Sequence, residues 1–274
     1  MNKQVQEYVE IRKKELKVLT ENREVNLVVI QVGDDPASNS YIRGKKKDCE
    51  EVGINLYHAH FPADIDEVMI MQCIDMHNLN EDCHGIIVQL PLPPHIDVKK
   101  VQERIDPMKD VDGFHPMSYF KPCTPMGVIS FLRHTKYNFE GKRALVIGRS
   151  DIVGKPLAQL LTDLDCTVTL AHSKTLGIRH HIQESDIVFT AIDKIEWFDI
   201  SFAGSLMCSD CVIDIGLGIS SYDHKLHGNL SGACVEALKD VIPVLSGIKG
   251  VGLLTRLQLV ENTIMASILN GKED

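Results

Sequence analysis

At 274 residues, 44% hydrophobic and 24% charged, the chain has a soluble globular composition and enough length to fill two domains. Its formal net charge of −9 argues against general nucleic-acid binding. No apolar run approaches the ~20 residues of a membrane span, and the N-terminus lacks the apolar centre of a signal peptide, so a cytoplasmic protein with no membrane association is expected.

Residues 3–22 place apolar positions periodically among charges, as a surface helix does. Leu27–Val32 is a buried-strand run. At Asp35-Pro36-Ala37-Ser38 a turn proline followed by a hydroxyl predicts a helix starting near Ser38, ending at Val52 with Gly53 as its C-cap. That helix sets Tyr41 and Lys45 four residues apart on one face. A phenol beside an ammonium suits an aromatic ligand with proton transfer, but an ordinary amphipathic surface has the same spacing. Ile54–Phe61 is a strand on which His58 and His60 face one side, read as a solvent-facing pair. Asp64–Asn78 is a helix, and Gly85–Leu90 is a strand that breaks at Pro91-Leu92-Pro93-Pro94. Alternating strands and helices predict a parallel sheet with helices on both faces.

Lys121–Gly127 is the expected crossing to a second domain, where the pattern restarts. Arg143–Gly148 is a strand and Lys155–Leu164 a helix; Thr167–Ala171, Ile187–Ile192 and Val212–Ile215 are further strands, and Leu254–Leu269 closes as a helix. Eight cysteines are scattered through the chain and are expected to be reduced thiols. Cys208 and Cys211 have metal-ligand spacing without a second such pair, so two thiols leading into a buried strand are preferred to a metal site.

The second domain begins as strand, glycine turn, helix, the geometry that sets a pyrophosphate at a helix N-terminus. The turn Gly148-Arg149-Ser150-Asp151-Ile152-Val153-Gly154 departs from the usual fingerprint: Ser150 replaces the middle glycine, and the last glycine comes one residue late. At the end of the next strand stand His172, Ser173 and Lys174, with no carboxylate to hold a ribose 2′-hydroxyl. These groups, with Arg149, suit a 2′-phosphate and favour NADP over NAD; a scaffold without a cofactor is the alternative.

These segments, in this order, resemble the bifunctional methylenetetrahydrofolate dehydrogenase/methenyltetrahydrofolate cyclohydrolases. The match runs through Val32–Ser38 with Tyr41 and Lys45, Gly85–Pro93, Lys109–Pro116, Pro122–Gly127, Gly148–Pro156, His172–Thr175, Val212–Gly216 and Glu261-Asn262-Thr263. The resemblance implies an α/β fold of two domains with a cleft between them. An N-terminal α/β catalytic domain would span 1–120 and be completed by the C-terminal helix at 254–274. A Rossmann-like dinucleotide-binding domain would span 121–253. It implies tetrahydrofolate one-carbon derivatives as substrates, NADP as cofactor, no metal, and a homodimer. By this resemblance Tyr41 packs on the folate's aromatic portion, Lys45 transfers the proton of the hydrolytic step, Gln89 hydrogen-bonds Lys45, and Asp112 holds the pterin N–H groups. Gly148, Arg149, Ser150, Ile152, Val153, Gly154, His172, Ser173 and Ile215 fall at the cofactor positions.

The chain also departs from the family. Asp193 and Ile195 stand where the family has glycine and proline, and its Gly-Asp-Val-Asp run is here Gly228-Asn229-Leu230-Ser231. The loop 243–255 is altered, with Leu253 in place of a proline. A carboxylate near a cofactor phosphate is unfavourable. A cyclohydrolase with weakened dehydrogenase, and a non-catalytic folate-binding protein, are the alternatives to the bifunctional enzyme.

Overall fold

The computed structural model describes residues 1–223 and 225–270, so the last four residues of the expected 254–274 segment lie outside the described residues. In chain order the first elements are α1 (Asn2–Thr20), β1 (Asn26–Val32), α2 (Pro36–Val52), β2 (Asn55–Phe61), α3 (Glu67–Leu79), β3 (Gly85–Val88) and α4 (Val98–Arg104). α5 (Cys123–His134), β4 (Arg143–Ile147), α6 (Gly154–Thr162), β5 (Thr167–Ala171), α7 (Ile178–Gln183), β6 (Ile187–Thr190), α8 (Ala203–Leu206) and β7 (Cys211–Asp214) follow. The chain continues through β8 (Leu217–Ile219), β9 (Leu226–Gly228), α9 (Gly232–Leu238), β10 (Val244–Ser246) and α10 (Gly252–Leu269). It forms two compact units, one of residues 10–123 and 256–274, the other of 1–9 and 124–255. The sequence groups the first nine residues with the first domain, whereas the structure packs Tyr8 on Phe131 and His134 of α5.

In the first unit three parallel strands lie in the order β2-β1-β3. β1 is central and all seven of its residues are buried, as expected of a strand covered on both sides. Val28, Ile30 and Val32 of β1 pack with Ile70 and Ile74 of α3 and with Ile86 and Val88 of β3. Each such side chain contributes about 1.5–3 kcal/mol by leaving water.

α2 begins two residues before the predicted start. Asp35, not Ser38, is its cap: the Asp35 carboxylate accepts from Ser38 N–H at 2.7 Å, and Pro36 occupies the first turn, where its missing N–H costs nothing. The Ser38 hydroxyl donates instead to Leu90 O at 3.2 Å, tying the helix start to the end of β3. Gly53 closes the helix at φ 84°, as expected. His58 and His60 are exposed and stacked with ring centroids 5.4 Å apart, on one side of β2.

In the second unit five strands lie in the order β10-β7-β6-β4-β5, all parallel. α6 runs from Gly154 to Thr162, starting one residue earlier and ending two earlier than predicted. α10 starts at Gly252, preceded by a π-helical turn at Gly247–Val251 within the altered loop. Cys208 is exposed and Cys211 opens buried β7; both are free thiols.

Candidate active site and dinucleotide site

In the first unit, Lys45 lies on the buried face of α2 and is 7% exposed. Its Nζ donates to Gln89 Oε1 at 3.1 Å. Gln89 follows β3; its backbone N–H donates to Ile30 O at 2.8 Å, and its side-chain amide donates to Leu90 O at 2.8 Å, which fixes Oε1 toward the lysine. The partner is therefore a neutral acceptor that does not require lysine to be an ammonium.

Asp112 sits in a turn that the chain has built firmly. Lys109 Nζ donates to the carbonyls of His77, Asn78 and Asn80, capping the end of α3. Ile86 N–H donates to Lys109 O at 2.8 Å, extending β3 by one bridge. Buried Asp110 accepts from the N–H groups of Gly113 and His115, and burial holds its carboxyl above the ordinary range. Gly113 turns at φ 78°, where a Cβ would stand 2.6 Å from the Lys121 carbonyl carbon.

Lys45 and Asp112 both act on the charge of Cys123. The Cys123 thiol is raised well above its usual range by burial first and by Asp112 second, with Lys45 opposing. Asn262 of α10 donates to Val111 O at 2.8 Å and to Cys123 Sγ at 3.5 Å, and Gln258 donates to Asn262 at 3.0 Å. Tyr41 is half-buried one turn before Lys45, its phenol raised by burial against an opposing charge from Arg256. Tyr41 and Lys45 thus share one face of α2, with Gln89 on the Lys45 amine and Asp112 close enough to act on the same thiol as Lys45. Asp48 and Arg256 were not singled out from sequence, and Cys123 and Asn262 were read only as parts of matching segments, without a role. Arg256 is 208 residues from its partner Asp48, so no local pattern connects them.

In the second unit, Gly148 through Gly154 form the turn between β4 and α6. Gly148 has φ 128°, and a Cβ there would lie 2.0 Å from Ala191 O; a Cβ on Gly154 would lie 2.1 Å from Gly148 O. Two glycines therefore let the turn fold tightly on itself. Ser150 stands at the place of the middle glycine and braces the turn: its hydroxyl accepts from Val153 N–H at 3.3 Å and Gly154 N–H at 3.4 Å. Ile152 and Val153 are half-buried in the same turn. Arg149, Ser173 and Lys174 are exposed. His172 Nδ1 accepts from Lys174 N–H at 3.2 Å, which puts the ring proton on Nε2 as a donor. Ile215 is buried, and its N–H donates to Thr190 O at 2.8 Å, so this position contributes a fixed backbone wall.

The departures in this unit explain one another. Asn229 is 1% exposed; its amide donates to Ile192 O and Lys194 O at 2.8 Å each, while its oxygen accepts from Ile192 N–H at 3.0 Å. It clamps the loop that carries exposed Asp193. An aspartate would face two carbonyls with no proton to give. Asn229→Asp should therefore lower unfolding free energy by about 2–3 kcal/mol, measured by denaturant titration at neutral pH; an unchanged midpoint would contradict the clamp.

Beside it, Asp214 at the end of β7 is 2% exposed and accepts from Thr190 Oγ1 (2.8 Å), Asn229 N–H (3.0 Å) and Leu230 N–H (3.3 Å). Burial outweighs these donors and pushes its carboxyl from 3.8 up to about 6. A raised carboxyl stabilises the fold fully below 3.8, and that contribution is lost as pH rises through about 6. Asp214→Asn should thus gain about 3 kcal/mol on the unmodified protein between about pH 4 and pH 7, read from paired unfolding curves.

Residues 1–112 match a family model described as tetrahydrofolate dehydrogenase/cyclohydrolase, catalytic domain, and residues 122–270 match its NAD(P)-binding domain. The Bifunctional protein FolD of Bacillus licheniformis is 41% identical over 251 residues, 88% of this chain and 86% of the relative. Among solved structures, the bifunctional FolD methylenetetrahydrofolate dehydrogenase/cyclohydrolase of Campylobacter jejuni aligns with a TM-score of 0.87 at 32% identity, covering 96% of each chain. The Trypanosoma brucei FolD enzyme, solved with NADP cofactor and inhibitor, aligns with a TM-score of 0.87 at 28% identity, covering 98% of this chain and 97% of that one.

Proposed function

This chain belongs to the tetrahydrofolate dehydrogenase/cyclohydrolase family, and we propose that it oxidises 5,10-methylenetetrahydrofolate to the methenyl cation with NADP⁺ and hydrolyses that cation to 10-formyltetrahydrofolate. The observation that carries the reading is the buried Lys45 held by neutral Gln89. When bound, NADP⁺ accepts the hydride from the methylene carbon. That step needs no acid or base from the protein, only held reactants.

Hydrolysis needs more. Water adds its oxygen to the methenyl carbon and loses a proton to the Lys45 amine. The lysine then returns a proton to N5 as the carbon–N5 bond breaks, leaving the formyl group on N10; one proton is released overall. Gln89 holds the Lys45 amine through a neutral oxygen, so no carboxylate is paired with it. Asp112 accepts from the pterin N–H groups, and Tyr41 supports the aromatic ring.

The dinucleotide turn fits NADP. Gly148 and Gly154 keep it clear of side chains, and Arg149, Ser173, His172 Nε2 and Lys174 supply donors for a 2′-phosphate where no carboxylate repels it. The proposal includes a cytoplasmic homodimer, the family's usual state, checked by sedimentation. The functional test is near-ultraviolet absorbance in two assays. One follows loss of the methenyl compound supplied alone. The other follows NADPH formation from the methylene compound, with NAD⁺ in parallel. Turnover in both with preference for NADP⁺ is expected; failure in either removes that half of the proposal.

A further inference from the structure

Asp48 and Arg256 have no part in the mechanism above, yet they hold a cation beside Tyr41. Asp48 lies three residues after Lys45 on α2, and its side chain is 6% exposed. One oxygen accepts from Lys13 Nζ at 2.5 Å; the other accepts from Arg256 Nε at 2.5 Å. The guanidinium lies over Gly44, where a Cβ would come within 3.1 Å of Cζ and Nη1. Gly44 and Asp48 follow Tyr41 by three and seven residues, so all share one helix face. The Arg256 charge opposes the rise that burial causes in the Tyr41 phenol.

Two features show that this cation is not used up by its partner. Asp48 engages Nε alone, and neither terminal nitrogen of Arg256 has a protein acceptor among the described residues. Lys13 also shares Asp48 and reaches Glu51 at 2.6 Å. Asp48 is thus divided between two cations, Lys13 and Arg256. A guanidinium whose two terminal nitrogens have no acceptor among the described residues, half-shielded on the face that carries Tyr41, fits an anionic ligand group.

We propose that Arg256 forms a subsite for the glutamate carboxylate tail of the folate substrate, held in place by Asp48. The inference rests on the proposed function. In that reading Tyr41 supports the p-aminobenzoyl ring, and glutamate is amide-linked to that ring, so its carboxylates lie a few bonds beyond. A planar guanidinium anchored through Nε offers the paired N–H groups that match a carboxylate. Gly44 leaves the guanidinium room against the helix.

The test compares methenyltetrahydrofolate with the corresponding methenyl tetrahydropteroate, which lacks the glutamate, in the hydrolytic assay. The unmodified enzyme should favour the glutamate-bearing substrate by about tenfold in kcat/KM, expressed in KM. Arg256→Gln should bring that ratio near one, and Arg256→Lys should leave it intermediate. The ratio cancels any loss of folded protein, and Lys13 still neutralises Asp48 in both variants. Raised salt should narrow the ratio in the unmodified enzyme and not in Arg256→Gln. A ratio unchanged by Arg256→Gln overturns the subsite, as does an unmodified enzyme that turns over both substrates equally well. An enzyme that hydrolyses neither removes the proposed function itself, and the subsite with it.

Discussion

Replacing Lys45 with methionine should lower methenyl hydrolysis by about 10²–10⁴-fold, the usual worth of a positioned proton-transfer group. NADPH formation from the methylene substrate should survive. The asymmetry follows from the two reactions. Hydride transfer moves no proton to or from the protein, whereas addition of water to a cation must dispose of one. The structure supplies a single lysine with its amine on Gln89 Oε1, 7% exposed. Methionine keeps the length and apolar stem of that side chain, so the packing along α2 is retained. Gln89 loses one donor but still donates to Leu90 O at 2.8 Å. The stability cost should be about 1 kcal/mol, too small to be mistaken for the loss of activity. Full hydrolysis by Lys45→Met would place the base elsewhere, and equal loss of both activities would mean that Lys45 positions the substrate for both.

The proposed catalytic set was more legible in the sequence than the framework around it. Tyr41 and Lys45 are legible because helix spacing alone puts them on one face, and the order of the other motifs gives that spacing a chemistry. Strand positions were legible for the same kind of reason. β1 and β5 are runs whose apolar or β-branched residues leave little choice, and their limits differ from the sequence expectation by a residue at most. Helix starts were less legible. Both Asp35 and Ser38 can cap, and what decides between them is that Leu90 O waits for the Ser38 hydroxyl, a contact 52 residues away.

The same limit explains the departures. Read along the chain, Asp193 and Asn229 are two unrelated substitutions, the first of them unfavourable for a cofactor site. In three dimensions Asn229 holds the backbone on both sides of Asp193, and Asp193 itself is exposed. One change supplies the amide donors that fix the loop carrying the other. Arg256 was hidden similarly: the last helix was expected to complete the catalytic domain, but nothing along the chain links Arg256 to Asp48, which accepts from its Nε.

Gly148→Ala should do the most damage of any single methyl group in the second unit. The added carbon would lie 2.0 Å from Ala191 O and 2.7 Å from Ala191 C, and the residue would be held at φ 128°, a conformation that side chains rarely adopt. Neither neighbour can step aside. Ala191 N–H donates to Ile147 O at 2.8 Å, which fixes that peptide to β4, and Gly148 N–H donates to Ala171 O at 2.9 Å. On the other side Gly154 sits so close that its own Cβ would strike Gly148 O. The turn must therefore unbuckle from the strand ends. Backbone strain and overpacking together should cost about 3–5 kcal/mol, which lowers the melting temperature by roughly 10 °C for a domain of this size. Turnover with NADP⁺ should be lost, because the peptides that would flank the pyrophosphate have moved. Hydrolysis of the methenyl compound should persist below the melting transition. Gly141→Ala is the control: it also has a positive φ, of 73°, but nothing within 4 Å of its Cβ, so it should cost about 1 kcal/mol of backbone strain and leave both reactions intact. A Gly148→Ala protein that melts like Gly141→Ala and keeps its KM for NADP⁺ would show that the turn opens without cost and plays no part in holding the cofactor.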